Sequence, residues 1–218
     1  MGNDHLGKGE QEHEHPKHEL SQHAKRIYAI RELLLEKGVL KEEEIQRQID
    51  YMEARSPANG ARLVAGAWAD PRFKARLLAD PRAACAEMGI DATSINEFVV
   101  LENTETVRHL VVCTLCSCYP RPILGRPPDW YKSFNYRKRA VVDPRGVMRE
   151  FGMELPDSVE VRVHDSTADI RYLVLPLRPA GTDGMSEEEL ARLVTRDSMI
   201  GVVDPLQEIP EVNRQESS

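Results

Sequence analysis

The stretch LVVCTLCSC at residues 110–118 places three of the chain's four cysteines directly behind a short apolar run. Three thiolates this close in sequence cannot all pair with one another as disulfides, and soft or borderline transition metals prefer such ligands. The next residues, YPRP at 119–122, include two prolines that restrict the backbone. The stretch therefore predicts a buried strand that leads into a rigid loop with three sulfurs facing one point.

The spacing of the cysteines indicates how one metal ion could be held. Cys113 and Cys116 are three residues apart, so one tight turn brings both sulfurs to the same ion. Cys116 and Cys118 flank Ser117, which leaves the main-chain nitrogens of Ser117 and Cys118 next to that ion. Three sulfurs and two deprotonated amides would leave one position open, and a metal ion with an open position can act as a Lewis acid.

The same spacing allows a structural zinc site without catalytic chemistry. Structural zinc takes four ligands, usually in paired Cys-x-x-Cys or Cys/His units. The chain has no second pair, although His109 could supply a fourth ligand. An iron–sulfur cluster is less favoured because it usually needs four cysteines. Spacing alone does not decide between a catalytic metal and structural zinc. Cys85, on a predicted helix, is expected to be a small core residue.

The composition limits the class of protein. With 218 residues and 41% hydrophobic content, the chain is long enough for one domain with a substantial core. A net charge of -7 argues against nucleic-acid binding, which needs a basic surface. The sequence has no apolar run of membrane-spanning length, and its polar N-terminus does not resemble a secretory signal. We therefore expect a cytoplasmic protein that binds neither nucleic acid nor membrane, where clustered cysteines are typical of metal sites.

Changes of pattern along the chain predict an α+β protein with four segments. Residues 1–20 are rich in histidine and acidic residues and are expected to form a disordered tail. Residues 21–92 are expected to form a helical arm that contacts a partner subunit. Residues 93–204 are expected to form an α/β catalytic domain that holds the metal, and residues 205–218 a frayed tail.

Local signals predict the ends of individual elements. Helix starts with a capping Asp before a Pro are predicted at Asp70-Pro71, Asp80-Pro81 and Asp143-Pro144, and a capping box at Ser186. The Asp80 and Asp143 helices are expected to end at Gly89 and Gly152. Apolar or alternating runs predict strands at 98–101, 107–112, 159–163 and 171–175.

The sequence around the cysteines resembles the α subunit of nitrile hydratase. The resemblance runs from VCTLCSCYP at 112–120 through WYKS at 130–133 and DSTA at 165–168 to TRDSMIGV at 195–202. It is strong from about residue 102 to residue 203. It implies a helical N-terminal arm followed by a layered α-β-β-α domain that carries the cysteine metal loop, and the hydration of a nitrile to its amide.

The resemblance also implies the ligands of the metal. Non-corrin, low-spin Co(III) would be bound by the sulfurs of Cys113, Cys116 and Cys118 and by the amides of Ser117 and Cys118. Thr114 matches the cobalt form of the motif, as does the tyrosine at position 119, so Fe(III) is less favoured.

In this family, two of the ligands are oxidised. The resemblance implies a sulfinic acid at Cys116 and a sulfenic acid at Cys118. The oxygens of both groups need charge-assisted donors, which arginines of a β subunit would supply. The β subunit is either one chain or split into two. A metallochaperone and a small-molecule nitrile complete the expected partners.

Five residues are carried over as candidate catalytic residues. Cys118 and Ser117 lie beside the metal, and Asp165 and Arg171 are expected to orient the loop and its hydrogen bonds. The alternative interpretation is that Asp165 and Arg171 form an ordinary structural ion pair and do not orient the loop. Whether the Cys118 sulfenate or a metal-activated water attacks the nitrile first is left open.

The fifth candidate, Arg121, departs from the family pattern. Cobalt nitrile hydratases commonly have Trp at this place, which lines the substrate pocket. A cation there favours a polar, heteroaromatic or anionic substrate. YPRPILG at 119–125 also resembles the γ subunit of the cobalt enzyme thiocyanate hydrolase, which hydrates thiocyanate to carbonyl sulfide and ammonia. We predict a nitrile hydratase α subunit, with this γ subunit as the closest alternative and a zinc-stapled, non-catalytic interaction subunit as the second.

Overall fold

The computed structural model describes residues 21–208. The predicted N-terminal tail, residues 1–20, and most of the predicted C-terminal tail, residues 209–218, lie outside the described residues. The chain divides into two compact units, one up to Ile49 and one from Asp50 onward. The described part combines helices with short strands, which confirms the mixed helix-and-strand class.

The elements are short, and helices predominate. The helices are α1 (Gln22–Glu36), α2 (Glu42–Glu53), α3 (Pro57–Ala69), α4 (Pro71–Ala79), α5 (Pro81–Glu87), α6 (Arg121–Leu124), α7 (Asp129–Lys132), α8 (Phe134–Val142), α9 (Pro144–Glu150), α10 (Glu187–Leu193) and α11 (Arg196–Ile200). The strands are β1 (Glu97–Glu102), β2 (Val107–Val112), β3 (Glu160–Asp165) and β4 (Ile170–Leu175). Among the described residues, no helix is both long and apolar enough to cross a bilayer.

In the described part of the first unit, α1 is an amphipathic helix. The Ser21 side chain accepts a hydrogen bond from the main chain of Ala24, and the end of α1 is followed by Gly38 at φ +65°. Serine is a common residue at helix starts, and glycine is common just past helix ends. Helix α1 buries none of its residues, and apolar Ile27 and Ile30 remain 55% and 57% exposed. A helix of this kind needs further contacts to cover its apolar side chains.

The predicted capping residues begin the helices of the second unit. The carboxylates of Asp70, Asp80 and Asp143 each accept a hydrogen bond from a main-chain N–H in the first turn of α4, α5 and α9. Ser186 forms the predicted capping box of α10. These predictions are confirmed because capping depends only on residues within one turn of the helix end.

Helix α3 forms the centre of the core, and the sequence pattern did not single it out. Its small residues allow close packing: a Cβ added at Gly60 would lie 2.5 Å from the Met199 sulfur. The short helices α6, α7 and α8 were not predicted either; α6 begins within the stretch interpreted as a proline-braced loop. The four-residue helices α6 and α7 are too short to leave a measurable periodicity in a sequence, whereas nine-residue α8 buries only Tyr136 and Ala140 and so has a weak apolar pattern.

The four strands form two parallel pairs, β1 with β4 and β2 with β3. In the second pair Val112 lies opposite Asp165, and the main-chain N–H of Ser166 donates to the Val112 carbonyl at 2.7 Å. Parallel pairing places the carboxyl ends of both strands at the same edge. The cysteine loop that follows β2 therefore lies beside the turn that joins β3 to β4.

Strand β2 is held tightly against the rest of the second unit. Leu110 and Val112 are fully buried, and the Tyr136 hydroxyl donates to the Val111 carbonyl at 2.7 Å. Gly201 has φ +90° and lies so close to the carbonyl oxygen of His109 that a Cβ would collide with it. The backbone of β2, and with it the start of the cysteine loop, depends on this close approach.

We expect Gly201→Ala to destabilise the protein by about 2–5 kcal/mol, because the methyl group adds overpacking to the cost of a left-handed backbone. Gly152→Ala is a matched control, since Gly152 has the same φ of +90° with nothing within 4 Å of an added Cβ. The control should cost only about 1–2 kcal/mol. Urea denaturation of both variants measures the difference. Equal losses would show that the approach to His109 does not constrain β2.

Candidate metal centre

The structure brings together the sulfurs of Cys113, Cys116 and Cys118. The Cys113 and Cys116 sulfurs lie 3.4 Å apart, those of Cys116 and Cys118 lie 3.2 Å apart, and all three lie within 4.8 Å of one another. Cys113 is buried at the end of β2, Cys118 is half-buried and Cys116 is exposed. All three are free thiols, so the loop presents three soft ligand atoms to one point.

These separations suit three sulfurs on a single ion. Two sulfurs about 2.3 Å from one ion lie about 3.3 Å apart at a right angle and about 3.8 Å apart at the tetrahedral angle. The observed 3.4 and 3.2 Å match the right angle better. Among residues 21–208, this metal-ligating group contains no fourth side chain. Both observations fit a transition metal with further, non-side-chain ligands better than they fit a structural zinc site.

His109, the possible fourth zinc ligand, faces a different partner. Its Nδ1 lies 2.8 Å from Nε2 of His164, on the paired strand β3. Burial lowers the pKa of His109, and it lowers the pKa of His164 to about 4. The two rings therefore remain neutral at pH 7 and share one hydrogen bond. Among the described residues, His109 does not belong to the metal-ligating group formed by the three cysteines.

The thiols of the loop differ in acidity. Hydrogen bonding from Cys118 and Cys113 lowers the pKa of Cys116 to about 7. Burial, together with the hydrogen bond to Cys116, raises the pKa of Cys118 to about 12. Of these two thiols, Cys116 is therefore the more acidic. Cys85 lies elsewhere in the core, fully buried in α5, and burial raises its thiol pKa to about 12.

The main-chain nitrogens predicted as ligands are available. Cys116 donates its own N–H to the Cys113 sulfur at 3.3 Å. In the described part of the chain, the N–H groups of Ser117 and Cys118 donate to no backbone carbonyl. Both instead help to stabilise the Cys116 thiolate. The two amides are thus free of the secondary structure that would otherwise hold them.

Asp165 fixes the first turn of the loop. Its two carboxylate oxygens accept hydrogen bonds from the main-chain N–H and the hydroxyl of Thr114, at 2.9 and 2.5 Å. Arg137 donates to the Thr114 carbonyl at 3.4 Å. Asp165 reaches Thr114 because the strand register places the ends of β2 and β3 side by side.

Arg171 lies at the start of β4, on the other side of the turn from Asp165. Its guanidinium donates to the carbonyls of Thr167, Ala168 and Ile170, the last two at 3.2 and 3.0 Å. Its charge also favours the thiolate form of Cys118. In the described residues Asp165 and Arg171 do not pair with one another; Asp165 binds the loop, and Arg171 binds the turn and faces the cysteines.

The cysteine loop borders an open cleft of about 320 Å³. Its lining consists of Arg55, Ser94, Ile95, Cys116, Ser117, Cys118, Tyr119, Arg121, Pro122 and Arg171. Three of these residues are arginines and none is acidic. The cleft is therefore electropositive, and it suits a polar or anionic small molecule.

Arg55 is a lining residue that the sequence analysis missed. Its guanidinium stacks over the Tyr51 ring at 3.9 Å from the ring centroid, which holds it at the edge of the cleft. Arg55 is far from the cysteine motif in sequence, and no local signal marks it. Arg121, which was predicted, is exposed in the wall of the same cleft.

Tyr131 is a second residue whose contact with the loop was missed. Its hydroxyl donates to the Cys118 carbonyl at 2.9 Å. The Tyr131 ring packs between Tyr119 and Tyr136, with centroids at 5.1 and 5.6 Å. Tyr131 lies in the WYKS stretch at 130–133, which carries part of the family resemblance. That resemblance was the sequence signal that could have pointed to this residue.

Comparison with known proteins places the chain among metal-containing hydratases. The sequence profile of the family "Nitrile hydratase, alpha chain" matches residues 21–203. The low-molecular-weight cobalt-containing nitrile hydratase subunit alpha of Rhodococcus rhodochrous is 54% identical over 183 residues, which cover 84% of this chain and 88% of that protein.

Two further similar proteins differ in substrate or metal. The thiocyanate hydrolase subunit gamma of Thiobacillus thioparus is 46% identical over 188 residues, covering 81% of this chain and 77% of that protein. The structure of a double mutant of the Fe-type nitrile hydratase from Comamonas testosteroni Ni1 has a TM-score of 0.75 and 41% identity, covering 89% of this chain and 95% of that one. From these matches over most of its length, the chain belongs to the nitrile hydratase α-chain family.

Proposed function

We propose that the chain is the metal-bearing catalytic α subunit of a nitrile hydratase, which adds water to a nitrile to form the amide. The observation that carries this proposal is the group of three cysteine sulfurs within 4.8 Å of one another at the edge of an open cleft. Membership of the nitrile hydratase α-chain family supports it. Relatives 54% and 52% identical are named as cobalt-containing nitrile hydratase subunits.

The proposed metal is non-corrin, low-spin Co(III), with Fe(III) as the alternative. The sulfurs of Cys113, Cys116 and Cys118 and the main-chain nitrogens of Ser117 and Cys118 would hold it. When bound, the ion supplies Lewis-acid activation of the nitrile or of water. Thr114, which matches the cobalt form of the motif, favours cobalt over iron.

We propose that Cys116 is present as a sulfinic acid and Cys118 as a sulfenic acid. Oxidation of cysteine follows exposure, and Cys116 is exposed whereas Cys113 is fully buried. The oxygens would accept hydrogen bonds from arginines of the β subunit. Cys118, half-buried beside the cleft, would present its oxygen toward the substrate.

The remaining side chains orient the loop and the substrate. Asp165 holds Thr114 by two hydrogen bonds, which keeps the first turn of the loop in place. Arg121 and Arg171 line the cleft. There they can bind a polar group of the substrate, and their charge repels cations. Ser117 lies beside them in the lining and is proposed to hydrogen-bond near the metal.

The segment roles and partners remain proposals as well. We propose that residues 21–92 form an arm that contacts a β subunit of one or two chains, and the exposed apolar side chains of α1 support this. Residues 93–204 are proposed as the catalytic domain, with its strand pairs stacked in a layered α-β-β-α arrangement. A metallochaperone that loads the ion and a cytoplasmic location stay predictions from the sequence.

A second candidate function is the γ subunit of a thiocyanate hydrolase. The specific observation in its favour is Arg121, whose cation lies in the wall of the cleft with Arg55 and Arg171. Thiocyanate is an anion, and a charge-assisted hydrogen bond would orient it. The same charges would also suit a polar or heteroaromatic nitrile.

The metal assignment is tested with the chain produced beside its partner subunit in cells supplied with both cobalt and iron. We expect about one cobalt per chain by elemental analysis, as one three-sulfur site requires. Peptide mass analysis should find two added oxygen atoms on Cys116, one on Cys118 and none on buried Cys85. Zinc with unmodified thiols in the assembled protein would contradict the proposal and support the non-catalytic alternative.

Asp165→Ala should reduce metal retention and activity by about ten- to hundredfold, because Thr114 loses both of its carboxylate partners. The measurement is the rate of metal loss to a chelator, together with nitrile turnover. Asp169→Ala is the matched control, since Asp169 is exposed and, among the described residues, its hydrogen bonds use its main-chain groups and not its carboxylate. If both variants keep wild-type retention, Asp165 does not position the loop.

Arg121→Trp separates the two candidate functions. If Arg121 binds an anion, kcat/KM for thiocyanate should fall by about ten- to hundredfold, because a hydrogen bond to a charged group contributes that much. The kcat/KM for neutral nitriles should stay unchanged. Arg126→Trp is the control, because exposed Arg126 lines a neighbouring cavity but not the cysteine cleft. An unchanged ratio between the two substrates would reject this role of Arg121. A wild-type protein that never turns over thiocyanate would reject the second candidate.

A further inference from the structure

The far end of the cysteine loop has one external support in the described chain. Residues 115–118 receive a single hydrogen bond from outside the loop, the one that the Tyr131 hydroxyl donates to the Cys118 carbonyl at 2.9 Å. The other hydrogen bonds of this stretch join the cysteines to one another. Leu115 is 85% exposed and gives the stretch no packing in this chain.

From this contact we infer that Tyr131 is a positioning residue for the metal loop. Its hydroxyl fixes the Cys118 carbonyl and so determines the direction in which the Cys118 sulfur and amide face the cleft. The inference rests on the proposed function and adds a residue outside the cysteine motif to it.

The surroundings make this hydrogen bond a firm constraint. Tyr131 is fully buried in α7, and its ring packs in T-shaped contacts against Tyr119 and Trp130, at 5.1 and 6.0 Å between centroids. Tyr119 follows Cys118 directly, so the residue after the last ligand is held by the same tyrosine. Because packing fixes the Tyr131 ring on several sides, its hydroxyl cannot shift with the loop. The Cys118 carbonyl keeps this hydrogen bond only if it stays in its present position.

The first part of the loop has independent supports, which makes the contribution of Tyr131 specific to the Cys118 end. Asp165 binds Thr114, and the pairing of β2 with β3 holds Val112. Without the Tyr131 hydroxyl, these contacts would still hold Cys113. The Cys118 end alone would gain freedom, and reacting groups lose efficiency when they move by a fraction of an ångström.

Tyr136 provides a matched comparison within the same aromatic cluster. It is also buried, its ring centroid lies 5.6 Å from that of Tyr131, and its hydroxyl donates to a main-chain carbonyl at 2.7 Å. Its acceptor is Val111 in β2, which the strand pairing already holds. If Tyr131 were only a packing residue, removal of either hydroxyl should have the same effect on the metal loop.

The experiment compares Tyr131→Phe and Tyr136→Phe in the cobalt-loaded complex of the chain with its partner subunit. For Tyr131→Phe we expect a shifted sulfur-to-cobalt absorption band and cobalt loss to a chelator about tenfold faster than in the wild type. In the same variant kcat should fall about tenfold while KM stays within about twofold. Tyr136→Phe should keep the wild-type band and rate of cobalt loss. Thermal unfolding should show similar losses of stability in both.

Two results would overturn the inference: a wild-type band and cobalt-loss rate in Tyr131→Phe, or equal changes in both variants. If Tyr131→Phe does not assemble, 3-fluorotyrosine at position 131 keeps the ring and hydroxyl while changing the acidity of the O–H, and an unchanged band would then count against the role. The band and the chelator rate do not depend on turnover. A complex that binds cobalt but hydrates neither nitriles nor thiocyanate would therefore refute the proposed function without deciding the role of Tyr131.

Discussion

The parallel pairing of β2 with β3 is the constraint on which the cysteine loop depends. The register that places Val112 opposite Asp165 brings the ends of two strands to one edge, although they are far apart in the chain. Cys113 follows one strand, and the carboxylate that binds Thr114 ends the other. A shift of the register by one residue would turn Asp165 to the opposite face and separate it from the loop.

The loop combines a fixed base with an exposed tip. Cys113 is fully buried and its neighbour Thr114 is bound by Asp165, whereas Cys116 is open to solvent. A metal site that reacts with a substrate needs both properties, because the ligands must hold their positions while one side stays accessible. The thiols of the loop also differ in acidity, because hydrogen bonds from Cys118 and Cys113 lower the pKa of Cys116 whereas burial raises that of Cys118.

The charges of the cleft come from separate parts of the chain. Arg55 follows α2, Arg121 opens α6 and Arg171 begins β4, yet all three line the space beside the cysteines. Related proteins named as nitrile hydratase and as thiocyanate hydrolase share the family's sequence. In this chain each of the three positive charges favours polar or anionic molecules in the cleft.

The features that depend on neighbouring residues could be predicted from the sequence. Spacing alone brought the three cysteines to one point, and the Asp-Pro pairs marked three helix starts, because a turn or a cap involves residues only a few positions apart. Tertiary structure alone decided that His109 pairs with His164, that Arg55 joins the cleft and that Tyr131 reaches the Cys118 carbonyl. These contacts join segments distant in sequence, and the packing of helices and strands, which leaves no local pattern in the chain, brings them together.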